Sequence, residues 1–410
     1  MENESTLSSF PQNPTAKPNN QAAYLDWISA SPVLPEAQTA VMSALNEHFG
    51  NPSSRLHGWG VRSQRAMDKA RGAVAELIGA WDPVELIFCG SASEANNLAI
   101  KGIAKASERG KHIVISAVDH PSVRMAAERL QWEGYSVSYA PVDECGRVSV
   151  GSLKELLRND TAIVSVQHAN TEIGTIQPVA EIAALCNERE IPFHSDGWGA
   201  VGFLPVNVGT LGVSAYTIGS NGFWGPPGAA ALWLKKGTDL FPQIDGGAQE
   251  MKRRAGTENL PAIIGMGVAA EIAKRDNTNR AEKLKKLSSR IYDGLQKGFQ
   301  DCNPTRFFPT GHSTERLPHI ASFRFEWVEG EALLLGNGAD SIAAISGSAC
   351  ARPELGASYV LEACGVSEEQ CSGGITLSVG WSTTSDQIDY AVSRIIHHGK
   401  RLFEMSHMTG

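Results

Sequence analysis

Five short stretches hold the side chains best suited to chemistry: Ser91-Ala92-Ser93, His120, His168-Ala169-Asn170, Asp196 and Ser346-Gly347-Ser348-Ala349-Cys350. The first precedes a helical pattern, Ala95 to Ala106. Backbone N–H groups and hydroxyls at a helix N-terminus form a cradle for an anion, unless Ser93 is simply an N-cap. His120 can pass protons at neutral pH. Asp196 supplies a carboxylate, and Cys350 a thiol set among small residues, with Arg352 near enough to favour the thiolate. Plainer roles exist for each: Asp196 as a buried acceptor, His120 as a core histidine, Cys350 as a small buried residue.

These residues gain meaning from the elements that carry them. Apolar runs at Val84–Phe88, His112–Ser116, Tyr135–Ala140, Ala162–Val166, Pro192–Ser195, Val213–Ile218 and Ala229–Leu234 read as strands. Helical patterns separate most of them, among them Val61–Leu77, Val123–Glu133, Val150–Arg158 and Val179–Glu188. The alternation predicts an α/β fold with a mostly parallel sheet covered on both faces. Chemistry in such sheets gathers beyond the carboxyl ends of the strands, where Ser91–Ser93, His120, Asn170 and Asp196 all fall.

The chain has 410 residues, enough for two or three domains. Residues 1–22 read as a disordered lead rich in Asn, Pro, Ser and Thr, with no apolar core of a signal peptide. A large domain is expected over 35–275. Residues 23–34 with 280–410 are expected to form a smaller α+β domain, beginning after a helix at Leu260–Arg275 with a second helix at Arg280–Gln300. A net charge of −8 argues against nucleic acid or an anionic membrane as partner. No apolar run approaches the ~20 residues of a membrane span. Seven scattered cysteines without a Cys-x-x-Cys fit a reducing cytoplasm and no self-contained zinc site.

The turn Gly219-Ser220-Asn221-Gly222-Phe223-Trp224-Gly225-Pro226-Pro227-Gly228 lies between two strand-like runs. It resembles the loop of pyridoxal-phosphate (PLP) enzymes of the class V aminotransferase family, in particular the cysteine desulfurases. Glu94–Gly102, His168–Gly174, Arg254–Asn259 and Ser346–Cys350 are family-like almost letter for letter. The similarity runs from about Tyr24 to Arg401 and implies a PLP-dependent aminotransferase type I-like fold and a homodimer.

The resemblance also assigns roles. It puts Ala92 and Ser93 in the phosphate cradle, His120 on the pyridine ring, Asn170 on the ring oxygen or substrate, and Asp196 on the pyridinium nitrogen. Ser220 and Asn221 stand in the cofactor loop. Thr257 would reach the phosphate of the neighbouring subunit, and Cys350 would carry sulfur as a persulfide. Other positions depart from the pattern. Gly222 stands where the Schiff-base lysine belongs, Asn221 and Gly219 replace a His and a Ser, Gly199 a Gln, and Trp381 the Arg that clamps a substrate carboxylate. Trp198, Trp224 and Trp381 flank these losses. They are expected to fill one shared pocket, or else to form a new site for a flat or apolar ligand.

Three functions follow. The first is a desulfurase-like protein impaired in PLP chemistry that handles persulfide sulfur, or an iron–sulfur cluster, through Cys350, with PLP absent or weakly and noncovalently held. The second is an active desulfurase using noncovalent PLP. The third is a non-catalytic partner that binds an active paralogue or a scaffold protein; a sulfur-acceptor protein is a further possible partner of the chain.

Overall fold

The computed structural model describes residues 22–302, 306–347 and 358–407. Cys350 and Arg352 therefore lie outside the described residues. The strands in chain order are β1 (Ala23–Tyr24), β2 (Leu86–Cys89), β3 (His112–Ser116), β4 (Ser136–Ala140), β5 (Thr161–Ser165), β6 (Phe193–Asp196), β7 (Ala215–Gly219), β8 (Ala230–Leu234), β9 (Phe307–Pro309), β10 (Ile320–Phe325), β11 (Ile342–Ala343) and β12 (Gly374–Ser378).

Seven of them form one sheet, in the order β2-β8-β7-β6-β5-β3-β4. Only β8 runs against its neighbours; the pairings of β7 through β4 are parallel. The sheet is apolar on both faces, because successive side chains of a strand point opposite ways. Leu86 and Phe88 enter one core, with Val74 and Ile263 from the covering helices; Ile87 and Cys89 enter the other, with Leu98 and Ile103. A three-stranded antiparallel sheet, β12-β10-β9, and the parallel pair β1-β11 make up the rest.

The helix Ala92–Ala106 starts where the sequence asks it to. Ser91 Oγ accepts from the Glu94 N–H at 3.1 Å, while Glu94 reaches back to the Gly90 N–H at 2.8 Å. This reciprocal capping satisfies donors that a helix start leaves open. Arg254 holds Glu94 in place at 2.7 Å. Beneath the same turn, buried Arg71 and Glu250 form a two-pronged ion pair, 2.6 and 2.8 Å, and Glu250 also accepts from the Phe88 N–H at 2.9 Å.

One expectation about the elements needs correction. The break anticipated between Arg275 and Arg280 does not occur: a single 40-residue helix runs from Leu260 to Phe299. The intervening Asp276-Asn277-Thr278-Asn279 lacks Gly and Pro, so its polarity marks an exposed turn of helix and not an end.

Candidate cofactor cavity

A cavity of about 240 Å³ opens beyond the carboxyl edge of the large sheet, closed on another side by Ile28, Ser29, Ile345 and Gly347. Ser91, Ala92, Ser93, His120, Asp196 and Asn221 all line it. Strand order thus brings together groups more than a hundred residues apart in sequence.

Asp196 ends β6 and is buried, 6% exposed. Its Oδ1 accepts from the Trp198 N–H at 3.0 Å and its Oδ2 from Asn96 Nδ2 at 2.7 Å. The second hydrogen of Asn96 Nδ2 goes to Ser122 Oγ at 2.8 Å. Ser122 Oγ in turn lies 2.8 Å from His120 Nδ1, and the Ser122 N–H donates to that same nitrogen at 3.2 Å. A backbone N–H can only donate, so Nδ1 is the acceptor and the neutral ring keeps its proton on Nε2. Burial lowers the His120 pKa below 6.5, against the pull of Asp196. Asn96 and Ser122 therefore tie the carboxylate to the imidazole. Sequence reasoning passed over both, although Asn96 stands four residues after Ala92 and so on the same helix face.

Trp198 forms one wall. Its indole Nε1 donates to Asn221 Oδ1 at 3.0 Å. A β-carbon built on Gly219 would stand 2.3 Å from Trp198 Cδ1. One built on Gly222 would stand 2.5 Å from the Trp198 carbonyl oxygen and 3.4 Å from the indole. The two glycines and the tryptophan are thus one steric arrangement. Among the described residues no lysine and no arginine lines the cavity.

Glu172 also lines the cavity. One oxygen accepts from Ser358 Oγ; the other, Oε2, has no hydrogen-bond partner among the described residues. Burial pushes its pKa up to about 7, against the hydrogen bond from Ser358. Asn96 Oδ1 is likewise buried and without a partner.

Other expected site residues lie elsewhere. Asn170 does not line the cavity: its Oδ1 accepts from the Glu172 and Ile173 N–H groups, both at 2.9 Å, and its Nδ2 donates to the Val118 carbonyl at 3.1 Å. Its amide is spent on shaping the turn after β5. Ser220 is buried and Thr257 exposed, and neither lines the cavity. No cluster of three His, Cys, Asp or Glu able to hold a metal occurs among the described residues.

The expected shared pocket of three tryptophans is corrected as well. Only Trp198 lines the cavity. Trp224 and Trp381 instead each meet Trp27 edge to face, at centroid separations of 6.0 and 6.2 Å. Phe203 packs edge to face on Trp224 at 5.5 Å, and the Arg280 guanidinium lies 4.2 Å from the Trp224 ring centre. The indoles split because Trp198 follows β6 while the other two face the N-terminal segment.

A profile described as Aminotransferase class-V matches residues 23–390, most of the chain. The chain belongs to this family. It is 39% identical over 391 residues to the cysteine desulfurase IscS of Methanosarcina thermophila, covering 95% of each. Identity to the human cysteine desulfurase is 35%, over 96% of this chain and 85% of that protein. A solved NifS-like protein superposes with a TM-score of 0.84 at 29% identity, covering 92% of this chain and 98% of its own. Fold and cysteine-desulfurase-like kinship are thereby established. No helix among the described residues is long and apolar enough to cross a membrane.

Proposed function

We propose that the chain is a desulfurase-like protein that carries sulfur on Cys350 and holds no covalently anchored PLP. The observation behind this reading is the Trp198–Gly222 contact, in a cavity whose described lining includes no lysine. A Schiff base needs an amine, and a longer side chain at 222 meets the Trp198 backbone first. Of the groups expected at the phosphate, Ala92 and Ser93 line the cavity at the helix start, and the described cation beside that start, Arg254, is paired with Glu94. These residues do not fit the phosphorylated cofactor in its anchored form.

Sulfur transfer requires none of that machinery. The Cys350 thiolate attacks the terminal sulfur of a donor protein's persulfide. A new S–S bond forms at Cys350, the donor's S–S bond breaks, and the donor cysteine departs as a thiolate. The persulfide proton travels with the transferred sulfur, and oxidation states balance without an added oxidant.

The test is mass spectrometry of the chain after incubation with an active desulfurase and cysteine. A sulfur mass on the Cys350 peptide, absent from Cys350→Ser, is the expected result. A chain that gains no sulfur and resists alkylation at Cys350 is instead a scaffold or partner. A second reading, an active enzyme with noncovalent PLP, is favoured by Asp196 and His120 in the cavity wall. Sulfide release from cysteine on adding PLP would establish it.

A further inference from the structure

In sequence, Cys350 lies between Ile345 and Ser358, and hydrogen bonds lead from both of these residues to Glu172. On the front side, Ile345 exchanges two backbone hydrogen bonds with Thr376 of β12, at 3.2 and 2.8 Å. Thr376 Oγ1 then donates to the Glu172 carbonyl at 2.7 Å. On the rear side, Ser358 Oγ donates directly to the Glu172 carboxyl. The same hydroxyl oxygen accepts from the Leu361 N–H at 3.1 Å and so caps the helix Tyr359–Ala363. Glu172, Ser358 and Thr376 are all buried.

Glu172 is itself firmly held. Asn170 Oδ1 accepts its N–H and that of Ile173, both at 2.9 Å. Ile173 packs in one small core with Val360, Leu361 and Cys371. The Tyr359 hydroxyl donates to the Asp119 carbonyl at 2.9 Å, so the rear side also rests on the turn that leads into His120. The bond to Ser358 does not require a charged carboxyl. A carboxylate accepts the hydroxyl proton, and a carboxylic acid offers its carbonyl oxygen in the same place.

We propose that Glu172 is the positioning residue for the Cys350 thiol. Its main chain holds the front side through Thr376 and its carboxyl holds the rear side through Ser358, so one buried residue fixes both ends of the tether. This deepens the sulfur-carrying reading and rests on it for its purpose. A tether closed at both ends confines a thiol to the volume its length allows, and so raises its local concentration there.

Iodoacetamide alkylation of the full chain, followed at each cysteine by peptide mapping, reads that confinement without any sulfur transfer. Glu172→Ala and Ser358→Ala are each expected to speed alkylation of Cys350 about threefold or more, the effect of one lost hydrogen bond. The double variant should be no faster than either, because both changes remove the same bond. Glu172→Gln and Ser358→Thr keep the oxygen and the hydroxyl, and should stay near the parent rate. Thr376→Val tests the front side in the same way and serves if an alanine variant does not fold. Buried Cys186 is the control, since a loss of global stability would speed both thiols. An unchanged Cys350 rate, additive effects in the double variant, no rescue by Gln or Thr, or an equal rise at Cys186 overturns the proposal. A parent chain that gains no sulfur mass overturns the sulfur-carrying reading instead, and leaves these rates to decide the role of Glu172.

Discussion

Trp198 and Gly222 exclude any side chain between them: a β-carbon on the glycine would lie 2.5 Å from the tryptophan's own carbonyl oxygen. The obstacle is main chain, which no rotamer change relieves. Gly222→Lys is therefore expected to lose about 1–3 kcal/mol of stability from overpacking. It should also gain no Schiff-base absorbance when PLP is added, even combined with Asn221→His. Thermal melting and a visible spectrum check both points, and a yellow, undestabilised variant would refute the account.

The Arg71–Glu250 pair is nearly dry, its side chains 10% and 1% exposed. Removing one member strands the other, so Glu250→Ala should cost about 3–5 kcal/mol in urea unfolding. The loss includes the acceptor for the Phe88 N–H, which holds the strand leading to Ser91.

Glu172 predicts a pH dependence of stability. Its pKa rises from 4.5 in the open chain to about 7 in the fold, so the folded state binds the proton more tightly. The stabilisation is complete below about pH 4.5 and disappears as pH rises through about 7. Its size is on the order of 3 kcal/mol. Glu172→Gln, compared with the parent by denaturation at pH 5 and pH 8, should show a smaller drop.

His120 should titrate below 6.5, since burial lowers it. Asp196 raises it, so Asp196→Asn should lower the value further. Nitrogen-15 NMR of labelled histidine reads that shift, and also whether the proton of the neutral ring sits on Nε2.

Cys350 should be the first thiol alkylated in the native protein. Burial raises the thiols of Cys186 and Cys364 to about 12 and Cys371 to about 11, and pushes Cys89 and Cys145 upward too. Few thiolates are available at those positions near neutral pH. Peptide mapping after brief iodoacetamide treatment gives the order.

The sheet was legible because both its faces are apolar: the strand His112–Ser116 and the helix Val179–Glu188 have the bounds their patterns predict. The convergence of Ser93, His120 and Asp196 was legible too, since a parallel sheet brings its strand ends to one edge. The Asn96–Ser122 link was not, because it joins two helix starts through side chains and leaves no periodic trace. Nor was the separation of Trp198 from Trp224 and Trp381. Residue type reports aromatic bulk, but which indoles meet depends on how β6 and the N-terminal segment are placed.

The helix Leu260–Phe299 sets how the two sheets can move. At about 1.5 Å per residue it is a rod of about 60 Å, packed on the large-sheet helices at one end and on β10 and the C-terminal helix at the other. A loop at this passage would act as a joint and let either part turn freely. A stiff rod transmits torque instead, so tilting one end must be answered by bending or by slippage at the other.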